Sequence, residues 1–383
     1  MKNLPIENGV HVKTWADEIE DSAMVQIEHL ARLPIAFHHI AIMPDVHAGY
    51  GMPIGGVLAT EGVIIPNAVG VDIGCGMCAV KTSLTEISTE DLKMVMGKIR
   101  ETVPVGFSHH KEKQEEVLMP ANPPSGVVEE QYQNALTQIG TLGGGNHFIE
   151  IQKGSDGHIW VMIHSGSRNI GKQTADAFNK IAIALNEKWH STLPKEWELA
   201  FLPLDSDEGK AYIESMNYCV EFALANRKLM MDRILEIFYQ DGILFDPMIN
   251  IAHNYASMEN HFGRNVMVHR KGATLAREGT IGIIPGSQGT KSYIVRGKGN
   301  KDSFESCSHG AGRKMGRKEA ERTLDLEAEK KLLDDQGIIH AIRGKGDLDE
   351  APGAYKDISI VMKNQEDLVE ILVELTPLGV IKG

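Results

Sequence analysis

From Met43 to Met77 the chain reads MPDVHAGYGMPIGGVLATEGVIIPNAVGVDIGCGM. Glycine and proline return so often that no apolar run in it reaches helical length, and each run left between them is strand-sized. Residues 1–85 are therefore predicted to be short extended segments joined by tight turns. A chain that begins this way builds sheets first and packs its helices against them. Helical spacing appears in four later places. Ser88 to Thr102 opens with STEDL, a hydroxyl cap followed by acids, and continues through Met94, Val95, Met96 and Ile99. Ala175–Leu193 is a second stretch. The longest, Glu208–Tyr239, repeats Ile213, Met216, Val220, Ala223 and Leu224 at three- and four-residue intervals. Arg317–Gln336 reads as a final helix. Strand patterns return in IWVMIHSG, TIGIIPGS and SYIVRG. Because strands and helices do not alternate strictly, the expected fold class is α+β, mixed sheets with surrounding helices, and not a doubly wound sheet. One domain over residues 1–383 is expected, with the polar, proline-ended stretch Ser108–Gly126 as a surface excursion.

No apolar run is long enough to span a bilayer and the first residues, MKNLPIENGV, lack a secretory pattern, so a cytoplasmic protein without a membrane partner is expected. Four cysteines are too few for a disulfide framework in 383 residues, which leaves each available as a thiol. A formal net charge of −13 excludes a protein that coats nucleic acid by bulk electrostatics. The charge is uneven, however. Between Arg264 and Lys318 basic residues stand at 264, 270, 271, 277, 291, 296, 298, 301, 313, 314, 317 and 318 against Glu278, Asp302 and Glu305. That run is either a local polyanion site or a solvated face.

Histidine placement carries the chemistry. Asp45-Val-His47, Asn146-His147, His164-Ser-Gly, His253-Asn and His309-Gly each put an imidazole where a strand meets a turn. One such histidine is ordinarily structural; five form a set. In VGVDIGCGMC the glycines let Asp72 and Cys75 converge, and with His147, His164 and His253 they supply carboxylate, thiolate and imidazole ligands suited to zinc, manganese, iron or cobalt. Cys75 and Cys78 form a CxxC, but a zinc ribbon needs a second one, so Cys75 alone is taken as ligand and Cys78 as a small buried residue. GGGNHF, HSGSRNIG, PGSQGTKSY and SHGAGR are glycine- and serine-rich turns whose N–H groups suit phosphate oxygens, yet none is a Walker A loop or a Rossmann fingerprint. A nucleotide bound here uses another fold.

In order along the chain, DVHAGYGMPIGG, VGVDIGCGM, GGGNHFIE, HSGSRNIG, NIAHNYA, PGSQGTKSY, SHGAGRKMGR and the terminal VIKG resemble the RtcB family of GTP-dependent RNA ligases, from about residue 40 to the last. The resemblance implies an RtcB-like α+β fold, two Mn²⁺ ions and a histidine that becomes guanylylated. It also implies joining of RNA ends bearing a 2′,3′-cyclic phosphate or 3′-phosphate to 5′-hydroxyl ends. Carried over, Cys75 resembles a thiolate bridging both metals, with Asp72 and His147 on one ion and His164 and His253 on the other. His309 resembles the nucleophile, and Asp45 or His47 a group that helps activate the 5′-hydroxyl. Glu150 and Lys382 resemble readers of the guanine edge. Ser292 and Tyr355 resemble contacts to the base, and Asn146, Ser287, Gly310, Ala311 and Gly312 contacts to ribose or phosphates. Arg168, Arg313 and Arg317 are the expected RNA contacts, Arg168 also at the reacting phosphate.

The chain is shorter than the family's RNA-splicing members and compact between Gly126 and Gly140, which resembles shorter repair ligases associated with release-factor-like proteins and leaves the need for an accessory activator open. The alternative activity is a dinuclear metal-dependent phosphodiesterase that opens cyclic phosphates without ligating.

Overall fold

The computed structural model describes residues 1–239 and 242–383. Two large sheets organise it. The first orders the strands Lys2–Leu4, His11–Thr14, Ala36–His47, Ile54–Thr60, Arg264–Lys271 and Asn254–His261. The second orders Ile249–Ala252, Gly76–Lys81, Ile159–Ser165, Phe148–Gly154, Val369–Lys382, Ser292–Gly297 and Ile281–Ile284. A small pair, Ala273–Leu275 with Ser306–Ser308, lies beside them. This is the mixed-sheet α+β architecture expected. Among the described residues no helix is long and apolar enough to cross a membrane, and all four cysteines are free and buried.

The glycine-punctuated start forms strands as expected, but it also holds the helix Asp21–Ala31, whose Ala23, Ile27, Leu30 and Ala31 pack under the first sheet. The segment Thr89–Thr102 is helical, and Ser88 Oγ accepts from the Asp91 N–H as its cap. The longest helix runs Asp207–Tyr239 and buries Tyr212, Met216, Cys219, Ala223, Met230 and Ile234 along one stripe. Its methionines are core filler.

Two helical expectations need correction. The helix expected over Ala175–Leu193 runs Arg168–Lys188. Gly171 does not delay it, because a Cβ there would collide with Ser167 Oγ and only glycine lets the first turn close. It ends before His190, which takes φ 54°. The stretch expected as one helix over Arg317–Gln336 is two, Arg317–Thr323 and Leu326–Asp334, because Asp325 leaves helical geometry to cap the second. The compact stretch Gly126–Gly140 carries the helix Val127–Gln138. Within Ser108–Gly126 only a 3₁₀ turn forms, at Glu116–Leu118.

The basic run from Arg264 to Lys318 is not one face. Arg270 is buried on Glu259, Arg277 pairs with Glu305, Lys291 with Glu374 and Arg296 with Glu370. Glu370 and Glu374 come from a distant strand, Glu259 from just before the run and Glu305 from within it, so local and remote acids together neutralise these four bases.

Strand register explains how the turns meet. In the second sheet Ala252 pairs with Gly76, Gly76 with Ser165, His164 with Phe148 and Phe148 with Lys382. One row across five neighbouring strands therefore carries or adjoins His253, Cys75, His164, His147 and Lys382. His253 sits where the chain leaves this sheet for Asn254–His261 of the other. The row is the floor of the site.

Candidate active site

Cys75 Sγ lies 3.5 Å from His147 Nε2 and 3.3 Å from His164 Nε2. His147 Nε2 is 3.2 Å from Asp72 Oδ2, and His164 Nε2 is 3.4 Å from His253 Nε2. The sulfur thus stands between an Asp72–His147 pair and a His164–His253 pair, the grouping expected from sequence. Gly166 permits it, since any Cβ there would collide with the Asp72 carboxylate.

The protons of this cluster are placed by the backbone. His147 Nδ1 donates to Leu142 O at 3.0 Å and His164 Nδ1 donates to Asn146 O at 3.1 Å, because a carbonyl can only accept. In the neutral rings both Nε2 atoms are then lone pairs, aimed at a carboxylate, a sulfur and a third imidazole. Burial holds His164 and His253 well below the ordinary imidazole pKa, so neither supplies a spare proton. Converging lone pairs of this kind fit metal ions, with the backbone carbonyls fixing ring orientation. Burial and the Asp72 charge push the Cys75 thiol well up; a cation at the sulfur reverses that bias. Of these residues, the Cys75, His147 and His164 ligand atoms lie within 4.8 Å of one another.

The loops are pinned from behind by two residues of the long helix. Arg227 donates to Gly74 O at 2.9 Å, Ser165 O at 2.7 Å and Asn250 Oδ1 at 2.8 Å, beside Cys75, His164 and His253. Asn226 accepts from the Gly140 and Thr141 N–H groups and donates to Thr141 O, Ser165 Oγ and Gly166 O. Sequence reading missed both; the signal was a polar Asn-Arg pair inside FALANRKLM, on a stripe otherwise apolar.

His309 follows Ser306–Ser308 and packs edge-on against His253, ring centroids 4.8 Å apart. Its Nδ1 lies 2.6 Å from Asp45 Oδ2, which also accepts from the N–H groups of His309 at 3.0 Å and Gly310 at 3.2 Å. The carboxylate fixes the proton on Nδ1 and leaves Nε2 without a protein partner among the described residues. Asp45, expected near an attacking hydroxyl, is instead wholly buried beneath the imidazole. Gly312, at φ 75°, passes so close to the Asp45 carbonyl that any side chain would collide with it. His47 donates through Nδ1 to Asp45 O at 3.0 Å, and burial brings its pKa down to about 4, so its ring is neutral.

A cavity of about 740 Å³ opens over His309. His47, Tyr50, Asn146, Glu150, His164, Ser287, Gly310, Ala311, Gly312, Tyr355 and Lys382 all line it. Burial raises the Glu150 carboxyl to about 8, with Gln152 Nε2 donating to its Oε2 at 2.6 Å. Lys382 is lowered by burial and lies 3.6 Å from Glu350. Ser292 does not reach the cavity: it is buried behind Glu150, accepting from Gln152 Nε2 at 3.3 Å and Gly286 N at 3.1 Å. Ser287 is held by Thr290 at 3.0 Å.

The arginines are less free than sequence suggested. Arg313, expected on RNA, lines the cavity while bonded to Glu350 at 3.0 Å and Asp349 O at 2.6 Å, and covers one face of Tyr355 at 5.3 Å. Arg317 pairs with Asp349 and Glu350, both at 2.8 Å. The Tyr355 hydroxyl donates to Glu350 as well. Glu350, which nothing in its local sequence singled out, is the buried hub of these contacts. Arg168 takes φ 59° and donates to Thr141 Oγ1 at 3.1 Å and Gly106 O at 3.3 Å. A left-handed arginine at a helix start is strained backbone held by its surroundings.

The family model described as tRNA-splicing ligase RtcB matches residues 26–122 and 108–383. The chain is 39% identical to the RNA-splicing ligase RtcB of Escherichia coli K12, over 97% of each chain. It is 31% identical to the tRNA-splicing ligase RtcB of Thermococcus kodakarensis, over 95% of this chain and 92% of that one. It is also 31% identical to the RNA-splicing ligase RtcB of Mycobacterium bovis, over 94% and 100%. The alignment with the Thermococcus relative runs over 442 positions against 383 residues here, so that protein carries insertions this chain lacks.

Proposed function

This chain belongs to the RtcB family of RNA ligases, and from that premise we propose that it joins RNA 3′-phosphate or 2′,3′-cyclic phosphate ends to 5′-hydroxyl ends, consuming GTP through a guanylylated His309. Ligation in RNA splicing is the activity the relatives' names carry. The observation that supports the finer chemistry is the His309–Asp45 pair, which leaves one imidazole nitrogen unprotonated and unpartnered in the cavity.

His309 Nε2 attacks the α-phosphorus of GTP; the N–P bond forms as the bond to pyrophosphate breaks, and pyrophosphate departs with the electron pair. Nδ1 keeps its proton, and the positive charge that develops on the ring faces the Asp45 carboxylate. A cyclic RNA end is first hydrolysed to the 3′-phosphate. An oxygen of that phosphate then attacks the same phosphorus, the N–P bond breaks, and Nε2 regains its lone pair. The 5′-hydroxyl finally attacks the activated 3′-phosphorus and expels GMP. The hydroxyl proton passes to water or to His47 Nε2, which its Nδ1 bond to Asp45 O leaves as acceptor. Asp72, Cys75, His147, His164 and His253 would hold two Mn²⁺ ions, which supply polarisation of phosphoryl oxygens when bound. Glu150 and Lys382 supply an acceptor and a donor for the guanine edge, and Arg168 and Arg317 suit the terminal phosphate.

The test is a ligation assay with GTP, Mn²⁺, a 2′,3′-cyclic phosphate oligonucleotide and a 5′-hydroxyl oligonucleotide. A joined product dependent on GTP is expected. Cyclic-phosphate opening with no joined product, with or without GTP, would instead establish the phosphodiesterase alternative, a reaction that makes no use of the His309–Asp45 pair.

A further inference from the structure

A ligase must hold two RNA ends, and the residues assigned so far grip phosphates and guanine, not the RNA bases. Among the described residues the two most exposed aromatic side chains are Phe107, fully exposed, and Tyr50, 68% exposed. Tyr50 lines the cavity, and Phe107 tops a turn hydrogen-bonded to Gly143, the glycine packed against His147. Phe262, a less exposed ring, is already stacked on His38, centroids 4.0 Å apart.

Both rings project from fixed backbone. Tyr50 lines the cavity with His47 and His309. Its carbonyl accepts from Lys271 Nζ at 2.5 Å, the preceding Gly49 exchanges two hydrogen bonds with Gln26, and the Gly51 N–H donates to Glu198 at 3.2 Å. Phe107 tops a turn in which Gly106 N–H donates to Gly143 O at 2.9 Å and Ser108 N–H to Val105 O at 3.1 Å, while Arg168 donates to Gly106 O. The same turn packs on Gly144, and the next glycine, Gly145, lies under the Arg317 guanidinium. An aromatic ring left in water on anchored backbone, beside groups that suit phosphates, matches the stacking sites by which proteins hold unpaired bases without reading sequence. With a net charge of −13 the chain has little bulk attraction for RNA, so local contacts must supply the grip.

We propose that Tyr50 and Phe107 are stacking platforms for the terminal bases of the two RNA ends, Phe107 at the 3′-phosphate end and Tyr50 at the 5′-hydroxyl end. The inference rests on the ligase reading above. Phe107 takes the 3′-phosphate end because its turn is bonded to Arg168 and packed against the Arg317 loop. Tyr50 takes the other because it lines the cavity three residues after His47.

The experiment ligates two separate oligonucleotides, each titrated in turn, with labelling of the protein by GTP as the control on site integrity, since that step involves no RNA. Phe107→Ala is expected to raise KM for the 3′-phosphate fragment roughly 5- to 150-fold, the equivalent of about 1–3 kcal/mol per stacked base, and Tyr50→Ala to do so for the 5′-hydroxyl fragment. Phe107→Trp and Tyr50→Phe should restore binding, whereas Phe107→Leu, apolar but without a π-face, should not. Fluorescence anisotropy with each labelled fragment, in the absence of GTP, reads the platforms even if joining were to fail, so the two readings fail separately. Equal shifts for both fragments, no shift for either, reversed assignments, or full rescue by leucine would overturn the proposal.

Discussion

Asp45→Asn removes one charge and little shape, and the structure sets what that costs. Asp45 Oδ2 accepts three hydrogen bonds, from His309 N, His309 Nδ1 and Gly310 N, while Oδ1 is buried with no partner. The amide oxygen of the variant must take the Oδ2 position, because an NH₂ there would face three donors. It therefore still accepts from Nδ1, and the reactive tautomer survives. What is lost is charge: hydrogen bonds to a charged group contribute about 1.5–3 kcal/mol against about 0.5–1.5 for neutral ones, so roughly 1 kcal/mol goes from each of three bonds. The NH₂ buried at the Oδ1 position adds about 1–3 kcal/mol. The protein is expected to remain folded with a lowered melting temperature. In the labelling step the charge forming on His309 loses its counter-ion, which at about 1.5–3 kcal/mol slows GMP transfer roughly 10- to 150-fold. Asp45→Ala loses the tautomer as well and is expected to fall beyond about 10³-fold, as carboxylate–imidazole pairs do when the wrong nitrogen carries the proton. Single-turnover labelling with α-labelled GTP measures both, and circular dichroism checks the fold. Labelling of Asp45→Asn at the wild-type rate, or equal losses in the two variants, would refute the reasoning.

Other outcomes follow from the same geometry. Burial raises Glu150 from 4.5 to about 8, so the folded protein holds a proton there that the unfolded chain releases; its contribution to stability is full below pH 4.5 and is lost as pH rises through about 8. Because the ionised form is the acceptor for guanine, KM for GTP should fall between pH 7 and 9, and a Glu150→Gln variant should show a flat profile. Cys75→Ser is expected to reduce bound Mn²⁺ from two ions per chain to one or none, measured by inductively coupled plasma mass spectrometry; two tightly held ions in the variant would remove the sulfur from the site. Glu350→Gln releases Arg313, Arg317 and Lys382 from their common partner, and steady-state kinetics should give a KM for GTP about tenfold higher with a smaller change in kcat.

Much of this site was legible because its residues are both chemically uncommon and tied to turn glycines. Cys75, His147, His164, His253 and His309 each lie next to a strand end, and register alone brings four of those ends into one row. The supporting residues were not legible. Asn226 and Arg227 sit mid-helix, where their value depends on which loops the helix happens to cross. Glu350 gains its role from Arg313, Arg317 and Lys382, which arrive from two other segments, and from Tyr355 five residues on. Ser292 belongs to the right motif but faces Gln152 and not the cavity. The helix Asp21–Ala31 was passed over although Ala23, Ile27, Leu30 and Ala31 stand at helical spacing, because the glycine-punctuated strand pattern that follows was extended back over it. The break at Asp325 was hidden because a capping aspartate and a solvated one look alike in a charged stretch.

The central claim is that His309 Nε2 is the atom that receives GMP. Purified protein incubated with Mn²⁺ and α-³²P-labelled GTP, then resolved on a denaturing gel beside His309→Ala, tests it directly. A label on the wild type alone, lost in acid and kept in alkali as a phosphoramidate requires, is the expected result. An unlabelled wild type that still opens cyclic phosphates, or a His309→Ala variant labelled equally well, would contradict it.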